Sequence, residues 1–117
     1  MRRGEVWRVH FPKPRGSEPG HARPALVVQA DVFNQSAIST VVVVPFTTNL
    51  RLADLPGNVL IRRRKSGLSK DSVANVSQIA TVDRGWLSER VGSVTRRQID
   101  AVEEGLRLLL GLQAPYC

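Results

Sequence analysis

From Gly4 to Phe11 (GEVWRVHF) apolar and polar residues alternate, with Val6, Arg8 and His10 on one face and Glu5, Trp7, Val9 and Phe11 on the other. This period of two predicts a strand. Two β-branched runs suit buried strands: Pro24 to Gln29 (PALVVQ), and Ser39 to Phe46 (STVVVVPF) with four consecutive valines. Between them, Ala30 to Ser36 (ADVFNQS) reads as a short helix or turn. Pro12 to Ala22 (PKPRGSEPGHA) contains three prolines among glycines and continues neither a helix nor a ladder, so it is expected to be a long exposed loop. Thr47 to Pro56 is polar and ends in proline. A short strand is expected at Asn58 to Ile61, a hairpin through Arg62 to Lys70, and further strand-like stretches at SVANV and QIATV within Asp71 to Val82, and at Arg90 to Val94.

The period then changes. From Thr95 the apolar residues Ile99, Val102, Leu106 and Leu109 recur three or four apart, and Thr95 with Gln98 forms a T-x-x-Q capping box, so an amphipathic helix is predicted to run to about Gly111. Leu108, Leu109, Leu110 and Leu112 surround more of that helix than one core face needs. They mark either a deeply buried helix end or a contact between subunits. Several short strands followed by one helix, without a βαβ rhythm, predict a mainly β (α+β) fold: a small, strongly curved antiparallel sheet or barrel with a helix packed on it.

At 117 residues the chain is read as one domain over 1–117. Its 17 Lys and Arg against 10 Asp and Glu leave a net charge of +7, which favours a polyanionic partner. Six basic residues (Arg2, Arg3, Arg8, Lys13, Arg15, Arg23) lie in the first thirty positions, Arg62 to Lys65 form a run, and most of the cations are arginine, whose fork suits phosphate. Cys117 is the only cysteine, so neither an intrachain disulfide nor a multi-thiolate metal site is available. With no apolar stretch of membrane-spanning length and no secretory h-region in MRRGEVWRVHF, the expectation is a cytoplasmic protein without membrane attachment.

Asp31, Asp54, Asp71 and Asp83 are scattered, and His10 and His21 lack a ligating spacing, so no metal and no other cofactor is expected. No GxSxG, Walker A or GxGxxG motif follows a strand. Candidate chemistry concentrates in Arg15 to Pro24 (RGSEPGHARP), where Glu18, His21 and Arg23 stand together in a loop leading into a strand. RNA can be cut without a metal when its 2′-hydroxyl attacks the adjacent phosphate, given a base and cationic donors on the phosphorane. Arg23 can be such a donor but is a poor base. Taken alone, Arg23 reads first as half of a surface ion pair with Glu18, Thr47 as a strand-end residue bonded to backbone, and His21 as an exposed loop histidine.

Read together, RGEVW, GSEPGHARPALVVQAD, VVVVPFTTNLR, PGNVL, GLSKDSVANVSQIATVD and GLRLLLGL resemble, in order and spacing, the MazF/PemK toxin family over nearly the whole chain. The resemblance implies an SH3-like barrel with a C-terminal helix, a homodimer, metal-independent cleavage of single-stranded RNA at short sequences, and silencing by a cognate antitoxin. It places the family's catalytic arginine on Arg23 and its catalytic threonine on Thr47, and implies RNA-binding positions at Glu18, Asn34 and Gln78; His21, in the same loop, is expected from its own chemistry to contact RNA as well. The sequence departs from the family at Pro19, His21 and Ala22, and the RRRK run falls where the family varies. The same barrel also serves toxins resembling CcdB, which poison DNA gyrase, and a non-catalytic RNA-binding module would share the charge.

Overall fold

The computed structural model describes residues 1–12, 21–64 and 66–112, with the backbone only for His21. The expected Pro12 to Ala22 loop therefore lies mostly outside the described residues, as do Glu18, Lys65 and Cys117. Seven strands, β1 (Glu5–Phe11), β2 (His21–Val27), β3 (Thr40–Thr47), β4 (Val59–Ile61), β5 (Ser72–Ala74), β6 (Ala80–Asp83) and β7 (Leu87–Ser93), precede the C-terminal helix α2 (Arg96–Leu110). One short helix, α1 (Asp31–Asn34), joins β2 to β3, and 3-10 turns occupy Leu50–Asp54, Val76–Gln78 and Arg84–Trp86.

All described pairings are antiparallel, in the order β4-β5-β3-β2-β1-β7, with β6 also on β3. The sheet curls into a half-barrel, as the sequence pattern predicts. Its two ends meet backbone to backbone: a Cβ on Gly67, in the β4–β5 turn, would overlap the carbonyl of Val91 in β7, and one on Gly92 would overlap that of Ser66. Glycine at both places permits that approach.

Three of the four valines are explained by burial on both faces of the central strands, while Val42 is half-buried. Val44 and Phe46 join Val6, Leu26, Ile61, Ile99 and Val102 in a cluster beneath α2. Val41 and Val43 join Val9, Phe11, Ala25, Val27 and Val82 on the opposite face. A strand covered on both sides reads as a continuous apolar run rather than an alternation. The β1 alternation holds too, with Val6 in the first cluster and Val9 and Phe11 in the second.

Helix α2 begins as its sequence dictates. Thr95 Oγ1 accepts from the Gln98 N–H at 3.1 Å, Gln98 Oε1 accepts from the Thr95 N–H at 2.8 Å, and Gly111 closes the helix at φ 69°. Ile99 and Val102 are buried, but Leu109 is not part of the core, contrary to the periodicity. Leu108 and Leu110 are 61% and 54% exposed, so the end of the helix is uncovered in the single chain and the buried-end alternative is overturned.

Carboxylates stitch the first strand to its neighbours. Glu5 Oε1 accepts from Arg2 N (2.7 Å) and Trp7 Nε1 (3.0 Å), and its Oε2 lies 3.0 Å from Arg90 Nε in β7. Burial opposes ionisation of Glu5, yet these donors and the Arg90 charge outweigh it and hold the pKa below the usual 4.5. Glu103 is likewise lowered by hydrogen bonds from Arg107 and Arg3, and Asp31 by the Arg3 N–H and Asn34. Groups whose folded pKa is depressed stabilise the fold fully above their unfolded values, and that contribution is lost as pH falls through the folded ones. The melting temperature is therefore expected to be level from about pH 7 to 5 and to fall below about pH 4. Thermal melts across that range should show a shallower acid dependence for Glu5→Gln, together with lower stability at neutral pH.

Candidate functional site

β2 and β3 run antiparallel with Ala25 opposite Pro45 and Val27 opposite Val43. The pairing ends at Ala25 and Pro45, two residues short of Arg23 on β2 and of Thr47 on β3, where β3 passes to β5. Arg23 stands opposite Val9 of β1, so it shares the face of Val9, Ala25 and Val27 at the open end of the sheet. Arg23 and Thr47 line one cleft of about 250 Å³ with Ala22, Pro24, Phe46, Thr48 and Ser72. Residues 24 positions apart in the chain are thus brought together by strand pairing.

Each side chain is presented for polar work. Among the described residues the Arg23 guanidinium has no ion-pair partner. Thr47 Oγ1 accepts from the Asn49 N–H at 3.2 Å, closing a turn as β3 ends, and Asn49 Oδ1 in turn accepts from Arg51 N at 3.2 Å at the start of the following 3-10 turn. The strand-end role read for Thr47 is therefore real, and it fixes the oxygen while leaving the hydroxyl proton to be donated. Pro24, within β2, brings rigid backbone to the wall of the cleft. A second cavity of about 420 Å³, lined by Thr48, Leu50, Arg63, Lys70 and Asp71, adjoins the first through Thr48.

A cleft holding a fork-like cation and an oriented hydroxyl fits an anion such as a phosphodiester. The profile of a family described as a PemK-like, MazF-like toxin of a type II toxin-antitoxin system matches residues 2–110. The chain belongs to this family. Endoribonuclease MazF6 of Mycobacterium tuberculosis is 39% identical over 110 residues, spanning 94% of this chain and 96% of the relative, and Endoribonuclease MazF2 of Mycobacterium bovis matches to the same extent. Among solved structures, a mycobacterial endoribonuclease in complex with its cognate antitoxin superposes with a TM-score of 0.76 at 27% identity, covering 98% of this chain and 99% of the other. MazF from Deinococcus radiodurans shares the fold with a TM-score of 0.81 at 21% identity, covering 96% and 97%.

The remaining expected positions divide. Glu18 lies outside the described residues, and so does the side chain of His21, whose backbone pairs with Phe11 at the start of β2. Gln78 is half-buried in a 3-10 turn and lines a cavity of about 310 Å³ with Phe11, Pro12, Ile79 and Trp86. Phe11 is two residues along β1 from Val9, so this cavity opens on the face that carries Arg23.

Asn34 requires a correction. It is only 6% exposed, and its carboxamide is engaged within the fold: Nδ2 donates to Gln29 O (2.9 Å) and Asp31 Oδ1 (3.0 Å), and Oδ1 accepts from Gln29 Nε2 (3.0 Å). Gln29 Nε2 also donates to the Thr40 carbonyl at 3.3 Å, which anchors the network at the end of β3 remote from Thr47. The two ends are about 23 Å apart at the usual strand rise. Asn34 holds α1 against the sheet; it does not face the cleft. Missed by sequence reasoning were Thr48 and Ser72 in the cleft and Lys70 beside it. The hairpin register around the RRRK run would have pointed to Lys70, and nothing distinguishes Thr48 from Thr47 before β3 is placed. Among the described residues no three His, Cys, Asp or Glu side chains converge as metal ligands, and no helix is long and apolar enough to cross a membrane.

Proposed function

We propose that this chain is a toxin endoribonuclease that cuts single-stranded RNA without a metal, with Arg23 and Thr47 as its catalytic pair. The observation that carries this reading is the shared cleft of Arg23 and Thr47 at the open end of the sheet. The 2′-oxygen of the nucleotide before the cut attacks the phosphorus, its proton passing to a base. The P–O5′ bond breaks, the 5′-oxygen takes up a proton, and the products are a 2′,3′-cyclic phosphate and a 5′-hydroxyl. Arg23 binds the extra negative charge of the phosphorane, and the Thr47 hydroxyl donates to a phosphate oxygen and fixes its orientation. Glu18 and His21 belong to the segment leading to Arg23, close in sequence to where the 2′-proton must go. Gln78 and the part-exposed Trp86, which line one cavity, suit a stacked and hydrogen-bonded base.

Partners follow from surface chemistry and kinship. The antitoxin-bound mycobacterial relative supports control by a cognate antitoxin, whose acidic segment would compete with RNA for the cations of the cleft. The uncovered leucines of α2 support a homodimer in which that helix end is buried against the second copy. Transcripts as substrate place the action in the cytoplasm.

The test is incubation with a long RNA in EDTA, followed by mapping of cut sites and end groups. Discrete cuts with cyclic phosphate and 5′-hydroxyl ends are expected, and a single 2′-deoxy substitution at the cleaved nucleotide should abolish them. Cutting of the 2′-deoxy strand would mean that water is the nucleophile and that this mechanism is wrong. Thr47→Val removes the hydroxyl with little change of shape and is expected to lower kcat by about 10- to 100-fold, the worth of a hydrogen bond to a charged group. Thr47→Ser should recover most of the loss; equal activities for Thr47→Val and wild type would remove Thr47 from the mechanism.

A further inference from the structure

The Arg62–Lys65 run has so far no task, and the hairpin divides it. Ile61 pairs with Ser72 as the last pair of the β4–β5 ladder, and Arg62 and Arg63 on one side and Lys70 and Asp71 on the other lie just beyond it. Asp71 is shared between the two arginines: its Oδ2 lies 3.2 Å from Arg62 Nη1, and its Oδ1 accepts from the Arg63 main-chain N–H at 2.8 Å. Among the described residues, neither the Arg63 guanidinium nor the Lys70 ammonium has an ion-pair partner. Two cations lining one cavity repel; Asp71 on the same wall, already bound to Arg62 and the Arg63 N–H, offsets part of that cost, and an anion between the cations removes the rest.

The turn that carries them is held firmly. Ser66 is buried, its hydroxyl donates to the Arg62 and Arg63 carbonyls at 3.1 Å, and it accepts from Leu68 N at 3.2 Å. The adjoining Gly67 is packed against the backbone of Val91 and Gly92. Arg63 and Lys70 therefore project from a fixed frame into the cavity they line, and Thr48 joins that cavity to the cleft of Arg23 and Thr47.

We propose that Arg63 and Lys70 form a second phosphate subsite, which grips one backbone phosphate of the RNA strand as it passes over Thr48 beyond the scissile phosphate. The identity of the ligand as RNA rests on the nuclease reading above; the subsite itself rests on the paired cations. Its contribution is to binding and register of the strand rather than to the reacting atoms, and Arg62 and Arg64 take no part in it.

The experiment measures binding of an RNA carrying 2′-deoxy at the cleaved nucleotide, by fluorescence anisotropy across a salt series. The proteins are wild type, Arg63→Ala, Lys70→Ala, the double variant and Arg64→Ala. All three positions substituted are exposed, and Arg63→Ala keeps the main-chain N–H on Asp71. The double variant is expected to bind about tenfold more weakly, with a salt slope shallower by about 0.7, the change for one phosphate on a single strand. Arg64→Ala should leave the slope as in wild type. A scan of single neutral methylphosphonate linkages should find one position, other than the scissile one, that weakens wild type but not the double variant. Equal effects of Arg64→Ala and Arg63→Ala would overturn the subsite in favour of diffuse charge, as would a scan with no such position. Cleavage of the all-ribose strand by wild type, measured alongside, tests the nuclease reading separately: a protein that shows the subsite but does not cut fails that reading alone.

Discussion

Replacing Arg23 with alanine is expected to lower kcat for RNA cleavage by about 10²- to 10³-fold, with a smaller change in KM. The size follows from what the guanidinium is asked to do. A ground-state phosphodiester carries one negative charge, and attack by the 2′-oxygen builds a second on the same equatorial oxygens, so a donor fixed beside them gains most in the transition state. The cleft wall around Arg23 is strand backbone rather than loop, paired through Val9 and flanked by Pro24, which keeps the donor in place before the charge develops. Arg23→Lys keeps the charge but loses the two parallel donors, and should recover only part of the rate. Since no described residue forms an ion pair with Arg23, the thermal melt should be unchanged in both variants, which separates lost chemistry from lost fold. Arg23→Ala within threefold of wild type in kcat would show that another group stabilises the phosphorane.

What could be read from the sequence was local; what could not depended on register. The T-x-x-Q box at Thr95 and Gln98 and the paired periods of β1 and α2 are decided by neighbours within four residues, and these elements formed where the pattern put them. The four valines were legible as strand but silent on which face they bury, because Val44 enters one cluster and Val41 and Val43 the other. Arg23 and Thr47 were linked through family likeness; by spacing alone nothing joins them, since α1 and its flanks intervene and only the pairing of Ala25 with Pro45 brings their ends together. The RRRK run read as one patch because charge is visible in sequence while the partner of each charge is not. Asp71 neutralises Arg62 only once the hairpin has placed them face to face. Asn34 failed for a related reason: polar residues between two apolar runs are usually exposed, but this carboxamide satisfies the backbone carbonyl of Gln29 and the carboxylate of Asp31 inside the fold.

Gly105→Ala is expected to destabilise the protein by about 1–3 kcal/mol, although the same change in an isolated helix would be stabilising by about 0.5–1 kcal/mol. The sign is reversed by what α2 touches. Gly105 is buried in the helix, and a Cβ there would overlap the carbonyl group of Gly57, with Gly57 Cα at 3.0 Å. The neighbour is main chain and cannot swing aside as a side chain would. Nor can the Gly57 turn retreat: its own φ is +88°, and the next residue, Asn58, donates to Leu52 O at 3.0 Å and accepts from Val76 N at 2.9 Å, tying the turn to the 3-10 segments on either side. One of those segments is capped by Asn49, whose N–H donates to Thr47 Oγ1, so a shift of the Gly57 turn is expected to reach the cleft along a short, hydrogen-bonded path. A thermal melt should show Tm lower by roughly 5 °C or more, given the few degrees per kcal/mol expected at this size. The same variant should lose some cleavage rate at temperatures well below its Tm. A Tm equal to or above wild type would mean that helix propensity governs the position and that α2 and the Gly57 turn are not in backbone contact.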